Sequence, residues 1–104
     1  MRHEIILATE AVEDLQALRA NLRSQVQDAL ERYLRFQPTK ESKSRIKRLR
    51  GLSRPQFRLR VADDIRVFYD VIEDAVHVLA IVSKSRADEW LERHGESDEE
   101  SSLD

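Results

Sequence analysis

Phe57-Arg-Leu-Arg-Val-Ala-Asp-Asp-Ile-Arg-Val-Phe-Tyr-Asp-Val-Ile72 alternates apolar and charged residues on both sides of an acidic break. That is the pattern of two half-buried strands joined by a turn. The loop length decides which side chains meet. A two-residue loop at Asp63-Asp64 would set Arg60 opposite Val67 and mix polar with apolar on both faces, because a shift of one residue flips every side chain. An odd loop, Ala62-Asp63-Asp64, pairs Val61 with Ile65, Arg60 with Arg66, Leu59 with Val67 and Arg58 with Phe68. This register gathers Phe57, Leu59, Val61, Ile65, Val67 and Tyr69 on one face. It places Arg58, Arg60 and Arg66 together on the other.

The neighbouring segments extend this sheet. Ala75-Val-His-Val-Leu-Ala-Ile-Val82 reads as the next strand. A two-residue loop at Glu73-Asp74 pairs Tyr69 with Val78, Asp70 with His77, Phe68 with Leu79 and Arg66 with Ile81. Chain continuity then carries Lys84 and Arg86 past the sheet end nearest Arg60 and Arg66. Upstream, Ile46 marks a weak strand ending at Gly51. At the start, His3 to Ala8 reads as a strand, with Thr9 as N-cap of a helix that presents Val12, Leu15, Leu18 and Leu22. Glu10, Glu13 and Asp14 suit the first turn of that helix. After a break near Asn21, a second helix presents Val26, Ala29, Leu30, Tyr33 and Leu34. It stops near Gln37, because Pro38 disfavours helical geometry before it. Residues 39–44 form a polar connector, and Ala87 to Arg93 a short last helix. The fold class is therefore α+β: an N-terminal strand, an αα-hairpin, an antiparallel β-meander and a C-terminal helix. One domain covers residues 1–94, and residues 95–104 read as a disordered acidic tail.

With 104 residues, 40% hydrophobic and 37% charged, the chain suits one globular domain and excludes collagen-like, coiled-coil or fully disordered classes. The run from Ala75 to Val82 is far short of the roughly 18–20 residues that span a bilayer. The N-terminal apolar stretch is too brief for a signal peptide. The absence of Cys excludes disulfides and thiolate metal sites. A cytoplasmic protein without membrane partners is the expectation. The net charge of −2 conceals an asymmetry: residues 40–66 hold ten Lys or Arg against three Asp or Glu, and residues 95–104 hold five acids and no base. Local positive potential, not net charge, attracts a polyanion.

Two arginines directly opposite each other on a sheet repel. Either an internal acid (Asp63, Asp64 or the tail) compensates Arg60 and Arg66, or an external anion does. Arginine offers planar paired donors that match phosphate oxygens.

Arg45-Ile-Lys-Arg-Leu-Arg-Gly-Leu52, Phe57-Arg-Leu-Arg-Val61, Ile65-Arg-Val-Phe-Tyr-Asp-Val71, Val76 to Val82 and Lys84-Ser-Arg86 together resemble the RelE/ParE family of bacterial toxin–antitoxin toxins. The resemblance covers roughly residues 1–93, and it implies a RelE-like microbial ribonuclease fold. In the RelE branch it implies a ribosome-dependent mRNA endoribonuclease (an mRNA interferase) that needs no metal or cofactor. A 2′-hydroxyl attacks the adjacent phosphate and leaves a 2′,3′-cyclic phosphate. Carried onto this sequence, the catalytic set is Arg58, Arg60, Arg66 and Arg86. Arg66 and Arg86 stabilise the phosphorane, while Arg58 and Arg60 position the backbone. Lys47, Arg48, Arg50 and Lys84 steer RNA toward the site, and Trp90 stacks on a base. The implied partners are a cognate antitoxin (Phd/YefM-like or RelB-like), the ribosome and mRNA. The ParE branch implies instead a non-enzymatic inhibitor of DNA gyrase, and a weakly toxic or inactive relative is a third reading.

The sequence departs from the RelE pattern at the proton-transfer residue. Many members carry a Tyr a few residues after the late arginine, where this chain has Trp90. Asp88 and Glu89 are the nearby substitutes, and both are also explicable as helix-dipole acids. His77, facing Asp70, reads as a structural cross-strand partner on the order of 13 Å along the strand from the arginine row. His3 and His94 show no metal-ligand spacing. Tyr33 and Tyr69 read as core.

Overall fold

The computed structural model describes residues 1–97. Its elements are β1 (Glu4–Leu7), α1 (Thr9–Ala17), α2 (Ala20–Ala29) continued by a π-helical turn (Leu30–Leu34), β2 (Ile46–Arg48), β3 (Leu52–Arg54), β4 (Phe57–Val61), β5 (Ile65–Ile72), β6 (Ala75–Ser83), α3 (Lys84–His94) and β7 (Glu96–Ser97). The main sheet has the order β1-β6-β5-β4-β2, and β3 pairs with β7 in a separate ribbon. The meander is antiparallel, and β1 joins its edge parallel to β6. The α+β class and the element order expected from sequence are the ones observed.

The first hairpin has the expected register, with Arg60 facing Arg66 and Val61 facing Ile65. Ala62 opens its odd loop at a φ of 51°, and Glu73 opens the second loop at 55°. The second hairpin starts as expected, with Tyr69 opposite Val78 and Asp70 opposite His77. A bulge between Phe68 and Tyr69 then corrects the rest: Phe68 faces Ala80, not Leu79, and Arg66 faces Val82, not Ile81. One extra residue on β6 moves its later side chains to the opposite faces. Ile81 thereby enters the core against the helices, where it is 4% exposed.

That core lies between the sheet and the two N-terminal helices. Val26, Leu34, Leu59, Val67, Tyr69, Val76 and Val78 are fully buried in it. Tyr69 donates its hydroxyl to the Pro38 carbonyl at 2.6 Å, and burial pushes its pKa up. The opposite face of β5 carries Arg66, Phe68 and Asp70 in sequence. Helix α3 and the β3–β7 ribbon lie beyond it. Gly51, at a φ of +78°, makes the turn between β2 and β3. At Gly95 a Cβ would lie 2.5 Å from the Leu91 carbonyl oxygen, so glycine lets α3 turn into β7.

Four boundaries differ from the sequence reading. Ala8, not Thr9, is the N-cap of α1, and no side chain caps that helix. The break between helices falls at Leu18-Arg19, both extended, rather than near Asn21. Helix α3 begins at Lys84 and ends at His94, so it is longer than Ala87 to Arg93. Its first turn contains no acid, so Asp88 and Glu89 are not first-turn dipole partners. Finally, Glu96 and Ser97, expected in a disordered tail, pair with Arg54 and Leu52. The rest of that tail, residues 98–104, lies outside the described residues.

Asp14 has a structural role that its position in α1 does not announce. Strand β1 ends at Leu7 beside Val78, so β6 loses its neighbour beyond that point. The Ile81 N–H is met there by Asp14 Oδ2 at 2.9 Å. Burial raises the Asp14 pKa, and the Ile81 hydrogen bond opposes that rise. Asp14→Asn keeps an acceptor, whereas Asp14→Ala leaves a partly buried N–H without a partner at a cost of about 1–3 kcal/mol. Chemical denaturation at pH 7 is therefore expected to show Ala well below wild type and Asn close to it. Because the folded-state pKa lies above the unfolded one, the native state binds the proton more tightly. Wild type should gain stability relative to Asp14→Asn as pH falls through the folded pKa toward 3.8.

Candidate phosphate-binding surface

The arginine row is built by strand register. Phe57, Leu59 and Val61 turn into the core, so the alternation of β4 turns Arg58 and Arg60 to the other face. Arg66 is placed directly across from Arg60, and Phe68 across from Arg58. Lys47 on β2 faces Arg58 in the same way and extends the row. The guanidinium groups are thus on one face of adjoining strands.

Their local chemistry differs. Arg66 is 6% exposed, and its Nη1 donates to the carbonyls of Asp63 at 3.1 Å and Ile65 at 3.0 Å. Burial, followed by the charges of Arg58 and Arg60, pulls its pKa below the usual arginine value. Neither carbonyl supplies a full counter-charge. Arg60 is ion-paired with Asp63 at 2.6 Å, where the carboxylate side chain is 86% exposed. The hydrogen bond from Arg60, then its charge, holds the Asp63 pKa down, with smaller help from Lys84 and Arg66. Arg58 forms no ion pair among the described residues, and its Nε is buried without a hydrogen-bond partner. A buried donor without a partner is costly unless a ligand completes it. Among the described residues, Arg60 alone of the three arginines forms an ion pair, with an acid that faces water; the charges of Asp63 and Asp64 also oppose the lowering at Arg66 but do not outweigh burial and the charges of Arg58 and Arg60.

Helix α3 adds to the same potential. The Lys84 N–H donates to the Asp64 carbonyl at 2.6 Å, which fixes the helix start beside the β4–β5 hairpin. Lys84 and Arg86 occupy a first turn where the helix dipole already favours anions. Arg86 is exposed and lies one turn before Trp90 on the same helix face. Arg50 is exposed next to the Gly51 turn.

Two of the residues expected to contact RNA are placed otherwise than in the row. Arg48 faces the other side of the sheet, where its guanidinium lies 5.4 Å from the centre of the Phe57 ring. It does not join the Lys47–Arg58 row. Trp90 stacks on buried Phe68 at 5.0 Å with an interplanar angle of 8°. His94 lies against Trp90 at 5.0 Å, and the indole Nε1 donates to Glu10 at 2.9 Å. The packing of α3 occupies the ring that was expected to stack on a base.

The acid–base inventory is equally definite. Tyr33 packs with the helix-side core and Tyr69 is buried in it, so neither tyrosine of the chain faces the arginine row. His77 pairs with Asp70 on the strands. Asp70 itself accepts from the Gln56 N–H at 2.8 Å and pairs with Arg54 at 3.3 Å. Burial raises its pKa, while those two partners and His77 oppose the rise. Sequence reading placed Asp70 beside His77 but missed Arg54 and Gln56, whose approach depends on the turn at Pro55.

Residues 5–88 match the family model described as the ParE toxin of the type II toxin–antitoxin system parDE. Among solved structures, the chain is similar to the RelBE2 toxin–antitoxin complex from Mycobacterium tuberculosis, at 20% identity and a TM-score of 0.64, covering 81% of this chain and 100% of that one. It is also similar to the archaeal RelE–RelB complex from Pyrococcus horikoshii, at 23% identity and a TM-score of 0.61, covering 83% and 99%. A mutant of the E. coli toxin RelE in the free state aligns at 21% identity and a TM-score of 0.66, covering 90% and 99%. No curated protein sequence matches.

Proposed function

This chain belongs to the ParE toxin family of type II toxin–antitoxin systems, and we infer from that premise that its arginine row is the toxin's working surface and acts on RNA. The observation that carries the reading is the incomplete compensation of that row. Arg66 is buried among like charges that outweigh the opposing charges of Asp63 and Asp64, Arg58 has an unpartnered buried donor, and the one ion pair of the row among the described residues is Arg60 with exposed Asp63. A phosphodiester supplies the missing acceptors.

The reading assigns Arg58 and Arg66 to the phosphate oxygens, with Arg60 exchanging Asp63 for the same ligand. Lys47, Arg50, Lys84 and Arg86 draw the strand in, a contribution that weakens with salt. In the reaction, the RNA 2′-oxygen bonds to phosphorus and the P–O5′ bond breaks. The 2′-hydroxyl proton leaves to solvent, and the departing 5′-oxygen takes a proton from solvent. The arginines stabilise the charge that accumulates on the phosphorane. Arginine stays protonated and cannot serve as the base. The ribosome is the setting that holds mRNA in place, and a cognate antitoxin is the partner that restrains the toxin.

Gyrase inhibition is the second reading, and one observation favours it: the row has no tyrosine or histidine to move a proton. Mapping transcript 5′ ends shortly after induction, beside a gyrase supercoiling assay, separates the two. New 5′-hydroxyl ends on translated mRNA with unchanged supercoiling are expected. Inhibited supercoiling and DNA breaks with intact mRNA would transfer the function to gyrase. Neither effect, with unimpaired growth, would leave an inactive relative.

A further inference from the structure

We propose that the groove between the end of the second helix and the start of β2 is a nucleotide subsite, which holds a base on Phe36 and a phosphate on Arg32 and Arg45. Where that nucleotide is part of an RNA strand, the proposal rests on the RNA reading above and extends it beyond the arginine row. It requires no ribonuclease chemistry.

The groove has a volume of about 440 Å³. Arg32, Lys40 and Arg45 line it, and none of the three is ion-paired among the described residues. Tyr33 gathers two of these cations. The guanidinium of Arg32 lies 5.5 Å and that of Arg45 5.3 Å from the same ring centre. Like charges collected round one ring raise the local positive potential. Neighbouring acids do not line the groove. Glu41 Oε1 instead accepts the Arg48 N–H of the edge strand β2 at 3.0 Å, and Asp28 lines only the adjoining depression. Ser42 adds a neutral donor. Its Oγ accepts the N–H groups of Arg45 at 3.1 Å and Ile46 at 3.3 Å, so its own O–H is left to donate to an anion.

Phe36 supplies the other half of a nucleotide site. It lines the groove, is 58% exposed and stacks on no other ring among the described residues. An exposed ring beside guanidinium forks matches a base beside its phosphate. A carboxylate alone satisfies the cations and leaves the flat ring face uncovered, whereas any base covers it. Continuity with the arginine row points to a strand as the source of that nucleotide. Ser44 and Arg45 line both this groove and a second depression of about 320 Å³, whose other walls include Arg60 and Asp63. Arg45 Nη1 donates to the Arg60 carbonyl at 3.3 Å, and the Arg60 N–H donates to the Arg45 carbonyl at 2.9 Å. Cationic side chains therefore lead from Arg60 round the start of β2 to Arg32. Asp63 is the one acid along these walls among the described residues. A single strand held by a phosphate at Arg60 follows that path and brings a flanking base to Phe36.

The test uses the full chain, amide NMR and calorimetry. The probes are 2′-O-methyl hexaadenylate, which resists 2′-attack, AMP, adenosine and a capped peptide of four Glu-Val repeats. The hexamer should shift the amides of Phe36 and Ser44 together with those of the row, and bind about tenfold or more tighter than AMP. AMP should shift Phe36 and bind more tightly than adenosine, because its phosphate engages Arg32 and Arg45. Phe36→Ala should weaken the hexamer by about tenfold, Phe36→Trp should restore it and Phe36→Leu should not. Arg32→Gln with Lys40→Gln should weaken it by about tenfold and flatten its salt dependence. All three positions are exposed, and thermal melting verifies that the variants fold. AMP binding as tightly as the hexamer, at the same amides, assigns the subsite to a free nucleotide. No shift at Phe36 with either nucleotide, wild-type affinity in Phe36→Ala or Phe36→Leu, or tighter binding of the peptide at the same amides would each overturn the proposal. Shifts at Phe36 with none at Arg58, Arg60 or Arg66 would sink the RNA reading of the row and leave the subsite standing. Shifts at the row alone would do the reverse.

Discussion

Arg66→Ala is expected to lower mRNA cleavage by about 10²–10³-fold and to abolish growth inhibition on induction. That is the usual consequence of removing one preorganised donor from a developing oxyanion. The argument starts from burial. Arg66 is almost completely enclosed, with Arg60 across the ladder and Arg58 near by, so its position is fixed before any ligand arrives. Donors that need no rearrangement at the moment of reaction are the effective ones. Arg66→Lys keeps the charge but loses the planar fork, and its activity should fall between the two. Stability supplies the control. Arg66 Nη1 ties two carbonyls at the hairpin, so alanine loses those bonds while relieving repulsion from Arg58 and Arg60. These effects oppose each other, and the melting temperature should move by only a few degrees. Arg58→Ala, whose side chain forms no ion pair among the described residues, gives an independent variant for the same assay. Cleavage at wild-type rates by a folded Arg66→Ala protein would remove the row from the chemistry.

The arginine row was legible because the first hairpin leaves little freedom. Only an odd loop sends Phe57, Leu59 and Val61 to the same side as Ile65, Val67 and Tyr69, and the three arginines follow passively to the other. The second hairpin is different. From Val78 to Val82 every residue is apolar, so both registers offer each face a hydrophobic side chain. Alternation then carries no information about a bulge, and Ile81 was placed on the wrong face. The β3–β7 ribbon has too few apolar residues for a periodic signal. Asp14 looked like any acid near a helix start, because the strand end that frees the Ile81 N–H lies 67 residues away. Glu41 and Ser42 looked like connector for a similar reason. Their role exists only once Ile46 and Arg48 occupy a sheet edge. Sequence pattern reports which face a side chain prefers, but it does not report which distant backbone group lacks a partner.

Trp90 tests this distinction, since the two placements of its ring predict different measurements. If Trp90 stacked on RNA, Trp90→Ala would reduce affinity and leave the melting temperature alone. The structure instead puts the indole over Phe68, which is fully buried beneath it, with His94 against the indole and Glu10 on its N–H. Truncation to alanine removes the stack and opens Phe68 to water. Aromatic-to-alanine changes at buried sites cost about 3–5 kcal/mol, and Trp90 is half-buried, so about 2–4 kcal/mol is expected. For a domain of this size that lowers the melting temperature by roughly 10–20 °C. Trp90→Phe keeps a ring on Phe68 and loses only the exposed bond to Glu10, so it should recover most of the stability. Arg86 lies one turn away on the same helix, so the Phe68–Trp90 contact also fixes the helix that carries this cation. A Trp90→Ala protein that melts with wild type but binds RNA more weakly would return the indole to the ligand side.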